Sequence, residues 1–229
     1  MMKNFPLLSL LVALSFSACQ APSPQSVEMN TQLDSIAYAV GMDIGKFYHT
    51  KQQIKLNPEL IYAGIKDIVT QDSGKTRFSE DKGVALIDAF SRMMEAKRAA
   101  TNEINEKAFL SENAIKPQVN VMAEGVQYQV LEEGIGASPR ADNVVKVRID
   151  GRLLDGTLFA SSANNEDNTI EVDIALALPG LQLALTSMKP GDKWRVWIPS
   201  QLGYGSESRP PISPNSLLVY DIELLEILR

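Results

Sequence analysis

The stretch LPGLQLALTSMKPGDKWRVWIPSQLGY, residues 178–204, decides the fold of this 229-residue chain. Pro179 suits the first turn of a helix, where a backbone N–H has no intrahelical partner to lose. The turn formers Pro190 and Gly191 follow, and Lys193–Ile198 then alternates apolar with mixed side chains, as a half-buried strand does. The stretch therefore predicts a short helix, a turn and a strand. It gathers no nucleophile, base or metal ligand, so any catalysis here must work by shape and burial.

The first 19 residues resemble a bacterial lipoprotein signal. Lys3 supplies the positive start, residues 6–16 form an apolar run, and two small residues precede Cys19. We expect residues 1–19 to be the signal peptide and Cys19 to carry a lipid that holds the exported protein at the outer membrane or periplasm. The alternative is an ordinary cleaved signal. Residues 20–30, rich in Pro, Ser and Gln, predict a flexible tether.

Composition excludes several classes of function. The net charge of −6 argues against nucleic acid as a partner, because phosphate binding needs a basic face. Cys19 is the only cysteine and His49 the only histidine, so the folded body offers no disulfide, thiol nucleophile or histidine cluster. We expect His49 to lie on the surface and the chain to need no metal or cofactor. A hydrolase is opposed on the same grounds.

The N-terminal half predicts three helices. Thr31 with Asp34 reads as a capping box, Asn57 precedes a proline as a helix cap, and Ser79 precedes an acidic first turn. The third helix runs to about Asn113, roughly 50 Å at 1.5 Å per residue. Its second half is highly charged, which predicts either a solvated connector or a seam for another helix.

Two glycines, Gly41 and Gly45, lie one turn apart in the first predicted helix. Glycine weakens a helix interior. We expect close contact with another helix to offset that loss.

From residue 119 onward the apolar period changes from helical to alternating. Strand-like sets recur around Val126, Val147 and Val172, and Leu218–Ile227 closes the chain as a strand. Turn-like pairs separate these sets: Glu133-Gly134, Asp150-Gly151, Asp155-Gly156 and Asn164-Asn165. The fold class is therefore α+β, an all-helical N-terminal part followed by an antiparallel sheet with one short helix.

The second half resembles the FK506-binding-protein (FKBP) family of peptidyl-prolyl isomerases. The matching pieces come in family order: Val147-x-x-x-Gly151, Leu154-x-Gly156-x-x-Phe159, Ser161-Ser162, Pro179-Gly180, Met188-x-x-Gly191, Pro199-x-x-Leu202-Gly203-Tyr204-Gly205 and Ile212-x-Pro214-Asn215. The helical half looks like the N-terminal domain of the two-domain Mip- and FkpA-like members. The resemblance implies a dimerising helical domain over residues 31–118, with the homodimer formed through residues 31–113. It implies an isomerase half-barrel, wrapped around a short helix, over residues 119–229.

The resemblance also implies a pocket for proline. Four residues match the family's catalytic wall: Phe159, Tyr204, Ile212 and Tyr220. Five more stand at substrate-binding positions: Ile149, Ala160, Val172, Leu178 and Leu181. Four of those depart from the family, which usually has Tyr, Asp, Phe and Trp where this chain has Ile149, Ala160, Val172 and Leu181.

The implied function is isomerisation of proline bonds in unfolded or partly folded exported proteins. Because the pocket has lost three rings and an acid, we expect slow isomerisation and poor binding of the family's macrolide inhibitors. The alternative is a holdase chaperone or envelope scaffold that kept the fold without catalysis. On that alternative, Phe159, Tyr204 and Tyr220 are plain core residues.

Overall fold

The computed structural model describes residues 28–51, 54–69 and 76–229. The predicted signal peptide, Cys19 and residues 20–27 of the predicted tether lie outside the described residues. The chain forms two compact units, Met1–Arg77 and Phe78–Arg229. Within the described ranges, no helix combines the length and the hydropathy that a membrane span requires.

Helix α1, Gln32–Lys46, begins at the predicted capping box. The Thr31 hydroxyl accepts the N–H of Asp34, and the Asp34 carboxylate accepts the N–H of Thr31 at 2.7 Å. The Thr31 hydroxyl also donates to the Asp34 carboxylate at 2.8 Å, and this bond, together with the one from the Thr31 N–H, holds the pKa of Asp34 below its usual value. The helix continues into a π-helical turn, Phe47–Lys51, where His49 is exposed as predicted.

Helix α2, Pro58–Val69, also begins where the sequence predicts. The Asn57 side-chain oxygen accepts the N–H of Glu59 at 2.9 Å, which satisfies a backbone donor of the first turn.

Helices α1 and α2 bury no residue. Their apolar side chains are exposed instead: Leu33, Ile36, Tyr38, Val40, Met42, Leu60, Tyr62, Ile65, Ile68 and Val69. A Cβ added to Gly41 or Gly45 would meet no atom within 4 Å, so the described residues do not supply the predicted close helix contact.

Helix α3, Glu80–Ala114, is 35 residues long and is capped by the Ser79 hydroxyl, as the sequence predicts. Its first half carries exposed apolar side chains, among them Val84, Leu86, Ile87 and Met93.

Seven strands form one sheet within residues 76–229. They are β1 Asn120–Val121, β2 Gln127–Glu132, β3 Val144–Leu153, β4 Leu158–Ser161, β5 Ile170–Asp173, β6 Lys193–Ile198 and β7 Leu218–Ile227. Their order is β1-β2-β6-β7-β3-β4, β5 pairs with β3, and every pair is antiparallel. The predicted α+β class is therefore confirmed.

Helix α4, Pro179–Ser187, packs against one face of this sheet and fills the core. The alternation predicted in β6 is confirmed, since Trp194, Val196 and Ile198 are all buried in the same apolar cluster. A Cβ on Gly180 would collide with the Ile198 side chain, so α4 needs glycine there to lie this close to β6.

The turn predicted at Asp150-Gly151 is wrong, because both residues lie inside β3. Gly151 pairs with Tyr220 of β7 and with Ala160 of β4. The chain reverses later, at the predicted Asp155-Gly156 pair, where Gly156 has φ +86°. Gly151 does not form a turn; its missing side chain leaves room for the rings of Phe159 and Tyr220.

The second half of α3 contacts the sheet, so the predicted solvated connector is wrong, and the alternative, a seam for another helix, stays a prediction. The Phe109 ring lies 6.2 Å from the Trp197 ring of β6, centroid to centroid. Buried Asn113 donates to the Gln127 side chain at 2.9 Å. The long helix therefore belongs to the same compact unit as the sheet, Phe78–Arg229. The domain division predicted at residues 118 and 119 stays a prediction.

Candidate active site

Two aromatic rings form the centre of the candidate site. Phe159 of β4 and Tyr220 of β7 meet edge to face, with ring centroids 5.6 Å apart and planes at 87°. Both rings lie over Gly151, where an added Cβ would be 2.7 Å from Phe159 and 2.8 Å from Tyr220. Edge-to-face pairs of this kind contribute roughly 0.5–1.5 kcal/mol beyond the area they bury.

The environment of this pair is apolar. Only 4% of Tyr220 is exposed, whereas Phe159 is partly exposed and so can meet a ligand. Burial raises the pKa of Tyr220, and the neighbouring Tyr204 raises it further. The Tyr220 phenol therefore remains neutral at physiological pH.

Tyr204 lies in the loop between β6 and β7 and packs, half-buried, against the apolar cluster. The Arg209 guanidinium stands 4.9 Å from the centre of the Tyr204 ring, within the range of a cation–π contact. The same loop carries Ile212, which is 5% exposed. Arg209 and Ile212 exchange two backbone hydrogen bonds, which fixes Ile212 beneath the loop.

Helix α4 contributes aliphatic side chains to the same cluster. Leu178 precedes the helix, and its carbonyl accepts the N–H groups of Leu181 and Gln182. Leu181 is buried in the first turn, and Leu178 is half-buried beside it.

Strands β3 and β5 supply two further aliphatic side chains. Ile149 is 8% exposed, and its N–H donates to the Ser162 hydroxyl at 3.0 Å. Val172 lies opposite Val145 in the β3–β5 ladder and is half-buried against the cluster. Ala160 is exposed and does not join the apolar cluster.

Eight of the nine residues that the sequence placed in the pocket belong to the apolar core cluster of the sheet unit or pack against it. They are Phe159, Tyr204, Ile212, Tyr220, Ile149, Val172, Leu178 and Leu181. Their roles toward a substrate stay predictions. The partly exposed Phe159 ring can contact an apolar ligand, and the hydroxyl of the half-buried Tyr204 can donate or accept a hydrogen bond. Within residues 28–51, 54–69 and 76–229, no group of three His, Cys, Asp or Glu side chains could hold a metal ion.

The chain matches two family models that lie next to each other in sequence. "FKBP-type peptidyl-prolyl cis-trans isomerase" matches residues 136–225, and "Domain amino terminal to FKBP-type peptidyl-prolyl isomerase" matches residues 33–130. The peptidyl-prolyl cis-trans isomerase Mip of Coxiella burnetii is 32% identical over 230 residues, covering 97% of this chain and 96% of that protein. This chain belongs to the FKBP-type peptidyl-prolyl cis-trans isomerase family.

Similarity extends along both halves of this FKBP. The outer membrane protein MIP of Legionella longbeachae is 30% identical over 236 residues, covering 99% of this chain and 98% of that protein. The crystal structure of FkpA from Escherichia coli superposes with a TM-score of 0.61 at 29% identity, covering 87% of this chain and 98% of that one. The predicted family and the predicted enzyme class, a peptidyl-prolyl isomerase, are confirmed.

Sequence reasoning missed the polar residues that hold the site of this FKBP in place. The Ser161 hydroxyl donates to the Asp150 carboxylate at 2.5 Å, while Ser162 accepts from Ile149. These bonds tie the end of β4 to β3. The Ser161-Ser162 pair contributed to the family resemblance, but the sequence alone did not predict its hydrogen bonds to Asp150 and Ile149.

Proposed function

We propose that this FKBP isomerises X–Pro bonds in proteins that fold outside the cytoplasm. The observation that carries the proposal is the apolar cluster around Phe159 and Tyr220, with the Tyr204 hydroxyl at its edge. The relatives support the setting, since one of them is named an outer membrane protein.

The reaction needs no acid, base or nucleophile. Rotation about a peptide bond meets a barrier of about 18–20 kcal/mol, which arises from amide resonance. The twisted amide has lost that resonance and much of its charge separation. A water-poor apolar site therefore favours the twisted state over the planar one, and this difference in binding lowers the barrier.

Each side chain has a part in this scheme. The partly exposed Phe159 ring contacts the proline ring, and buried Tyr220 supports Phe159 by packing edge to face against it. Leu178 and Leu181 close the site from α4 and exclude water. Tyr204 donates its hydroxyl proton in a hydrogen bond to a substrate carbonyl and so fixes the chain on one side of the rotating bond.

The altered positions predict a slow enzyme. Leu181 is smaller and less flat than the tryptophan that the family usually has there, so it holds the proline less firmly. Exposed Ala160 places no acid beside the rings. The binding energy available to the twisted state is correspondingly smaller.

The test is a protease-coupled or NMR exchange assay on a proline peptide with residues 20–229. We expect catalysis above the uncatalysed rate, with a loss of most activity in Tyr204→Phe and in Phe159→Leu. Exposed Tyr62 and Phe78 provide the matched controls Tyr62→Phe and Phe78→Leu, which should leave the rate unchanged. Equal rates with and without protein would refute the isomerase.

A second candidate function is a holdase chaperone or envelope scaffold without catalysis. The exposed apolar side chains of α1 and α2 favour it, because such surfaces bind unfolded chains. Its test is aggregation of a thermally unfolded client. Suppressed aggregation by a protein that does not speed isomerisation would select this candidate over the first.

We also propose a homodimer through residues 31–113. The exposed apolar side chains of α1, α2 and the first half of α3 support it, because a second copy could cover them. Ile36→Lys should shift residues 20–229 toward monomer in sedimentation, while the neighbouring Ser35→Lys should not. A wild-type chain that stays monomeric at all concentrations contradicts the proposal.

The proposed anchor is a lipid on Cys19. Wild-type chain should fractionate with membranes and incorporate labelled fatty acid. Cys19→Ala should lose the label and leave the membrane fraction. Membrane recovery without any label would point instead to an uncleaved signal segment.

A further inference from the structure

The second half of α3 holds both ends of the loop that carries Tyr204 and Ile212. At one end, the Glu106 carboxylate accepts the N–H of Ser200 at 2.8 Å and its hydroxyl at 3.2 Å. At the other end, the Asn102 amide donates to the carbonyl of Pro214 at 2.8 Å and to the Ser216 hydroxyl at 3.1 Å. The loop is therefore fixed at two points by one rigid helix.

Hydrogen bonds continue from these two points to Tyr204. The Ser200 carbonyl accepts the N–H groups of Gly203 at 3.0 Å and Gly205 at 2.8 Å, the two neighbours of Tyr204. The Gly205 carbonyl in turn accepts the N–H of Asn215 at 2.7 Å. A continuous set of bonds thus joins the helix to the backbone on both sides of the Tyr204 ring.

Glu106 is placed as a cap for this loop. Only 9% of it is exposed, and a carboxylate at such depth is unfavourable unless it is hydrogen-bonded. The 3₁₀ turn Ser200–Leu202 has no side-chain cap of its own, because Pro199 precedes it. Glu106 supplies the acceptor that this turn lacks.

The position of Glu106 is itself fixed. Phe109, one turn further along α3, packs on Trp197, and the Gln127 side chain donates to the carbonyl of Leu110 at 2.8 Å. The turns of α3 that follow Glu106 are therefore bound to the sheet, and this fixes the Glu106 carboxylate beside Ser200.

We propose that Glu106 and Asn102 are positioning residues of the isomerase site. They hold the loop so that Tyr204 and Ile212 face the rings of Phe159 and Tyr220. Neither residue belongs to the apolar cluster; both act through the loop. The effect on catalysis rests on the proposed function, whereas the effect on the loop does not.

The first test compares Glu106→Ala with Glu106→Gln and with the control Glu103→Ala. Glu103 lies on the same helix but is exposed and pairs with Lys107 at 2.6 Å. In Glu106→Ala, amide exchange at Gly203 and Gly205 should accelerate by about tenfold or more, because a charge-assisted cap is lost. Exchange of core amides in β6 and β7 should not change. The kcat/KM should fall by about tenfold, mostly in kcat, because the substrate-binding walls remain.

Glu106→Gln keeps an acceptor for the Ser200 N–H, so it should restore both readouts to within roughly threefold of wild type. Asn102→Ala is a milder second variant and should accelerate amide exchange at Asn215.

Unchanged exchange at Gly203 and Gly205 in Glu106→Ala would overturn the proposal. So would faster exchange throughout the sheet, since that marks a general loss of stability. If the wild-type chain shows no catalysis, the proposed function fails, and the exchange comparison still decides the role of Glu106.

Discussion

Replacement of Gly151 by alanine tests whether the two rings define the site. The added Cβ would stand 2.7 Å from Phe159 and 2.8 Å from Tyr220, whereas carbon atoms in contact lie about 3.5–4.0 Å apart. Strand β3 is paired with β7 on one side and with β4 and β5 on the other, so its backbone has little freedom to retreat. Tyr220 is buried, and the partly exposed Phe159 ring is therefore the group that must move, by about 1 Å.

Two magnitudes follow from that displacement. Overpacking of a core by one methyl group destabilises a fold by about 1–3 kcal/mol, and we expect Gly151→Ala to lie in that range. A displacement of 1 Å in a binding group can lower catalysis by about 100-fold. We therefore expect kcat/KM to fall by roughly 10- to 100-fold at temperatures where the variant remains folded.

Urea unfolding followed by tryptophan fluorescence measures the first quantity. Both tryptophans, Trp194 and Trp197, lie in the sheet unit, so the signal reports that unit alone. The matched control is Gly64→Ala, where the added Cβ meets no atom within 4 Å and alanine favours the helix. A Gly151→Ala variant with wild-type stability and wild-type activity would refute the role given to the ring pair.

Three further substitutions test other parts of the structure. Burial raises the pKa of Tyr220 above its ordinary value of 10.0, so above pH 10 the unfolded chain loses a proton that the folded chain keeps. The free energy of unfolding should then fall by up to about 1.4 kcal/mol per pH unit from this group, and urea unfolding of Tyr220→Phe between pH 10 and 11 should lack that part of the slope. Phe109→Ala should destabilise the sheet unit by about 2 kcal/mol in urea, because Phe109 packs on Trp197, whereas exposed Met93→Ala should change it by less than about 0.5 kcal/mol. Gly41→Ala favours the isolated helix by about 1 kcal/mol but should weaken the proposed dimer in sedimentation, because it fills the close contact expected there.

Local patterns were sufficient for much of the fold. The alternation of Lys193–Ile198 and of Leu218–Ile227 predicts β6 and β7 with their observed bounds, because alternate side chains of each strand face the apolar cluster. The helix starts at Thr31, Asn57 and Ser79 follow from side-chain caps that lie within four residues of their targets. Strand alternation and helix capping both depend on residues close together in the chain, so a single sequence is enough to predict them.

Contacts between distant residues were not predictable in the same way. Apart from the Phe109 contact with Trp197, α3 is held against the sheet and the following loop by polar bonds from Glu106, Asn102 and Asn113, so the sequence shows no continuous apolar stripe there. A charged helix therefore looked like a solvated one. The turn predicted at Asp150-Gly151 was wrong for a related reason. Gly151 is needed because of two rings, Phe159 and Tyr220, that lie 8 and 69 positions further along the chain.

Most residues of the candidate site also belong to the apolar core or pack against it, so a substitution there can change both activity and stability. Removal of the Phe159 or Tyr220 ring would leave a cavity, which destabilises a fold by about 3–5 kcal/mol, and lost activity could then mean lost structure. Tyr204→Phe avoids this problem because it removes one oxygen and keeps the ring under Arg209. A single hydrogen bond contributes about 1 kcal/mol to stability, so the variant should remain folded. A fall in kcat at unchanged stability would then belong to the hydroxyl itself, and catalysis would be separated from the barrel core that surrounds it.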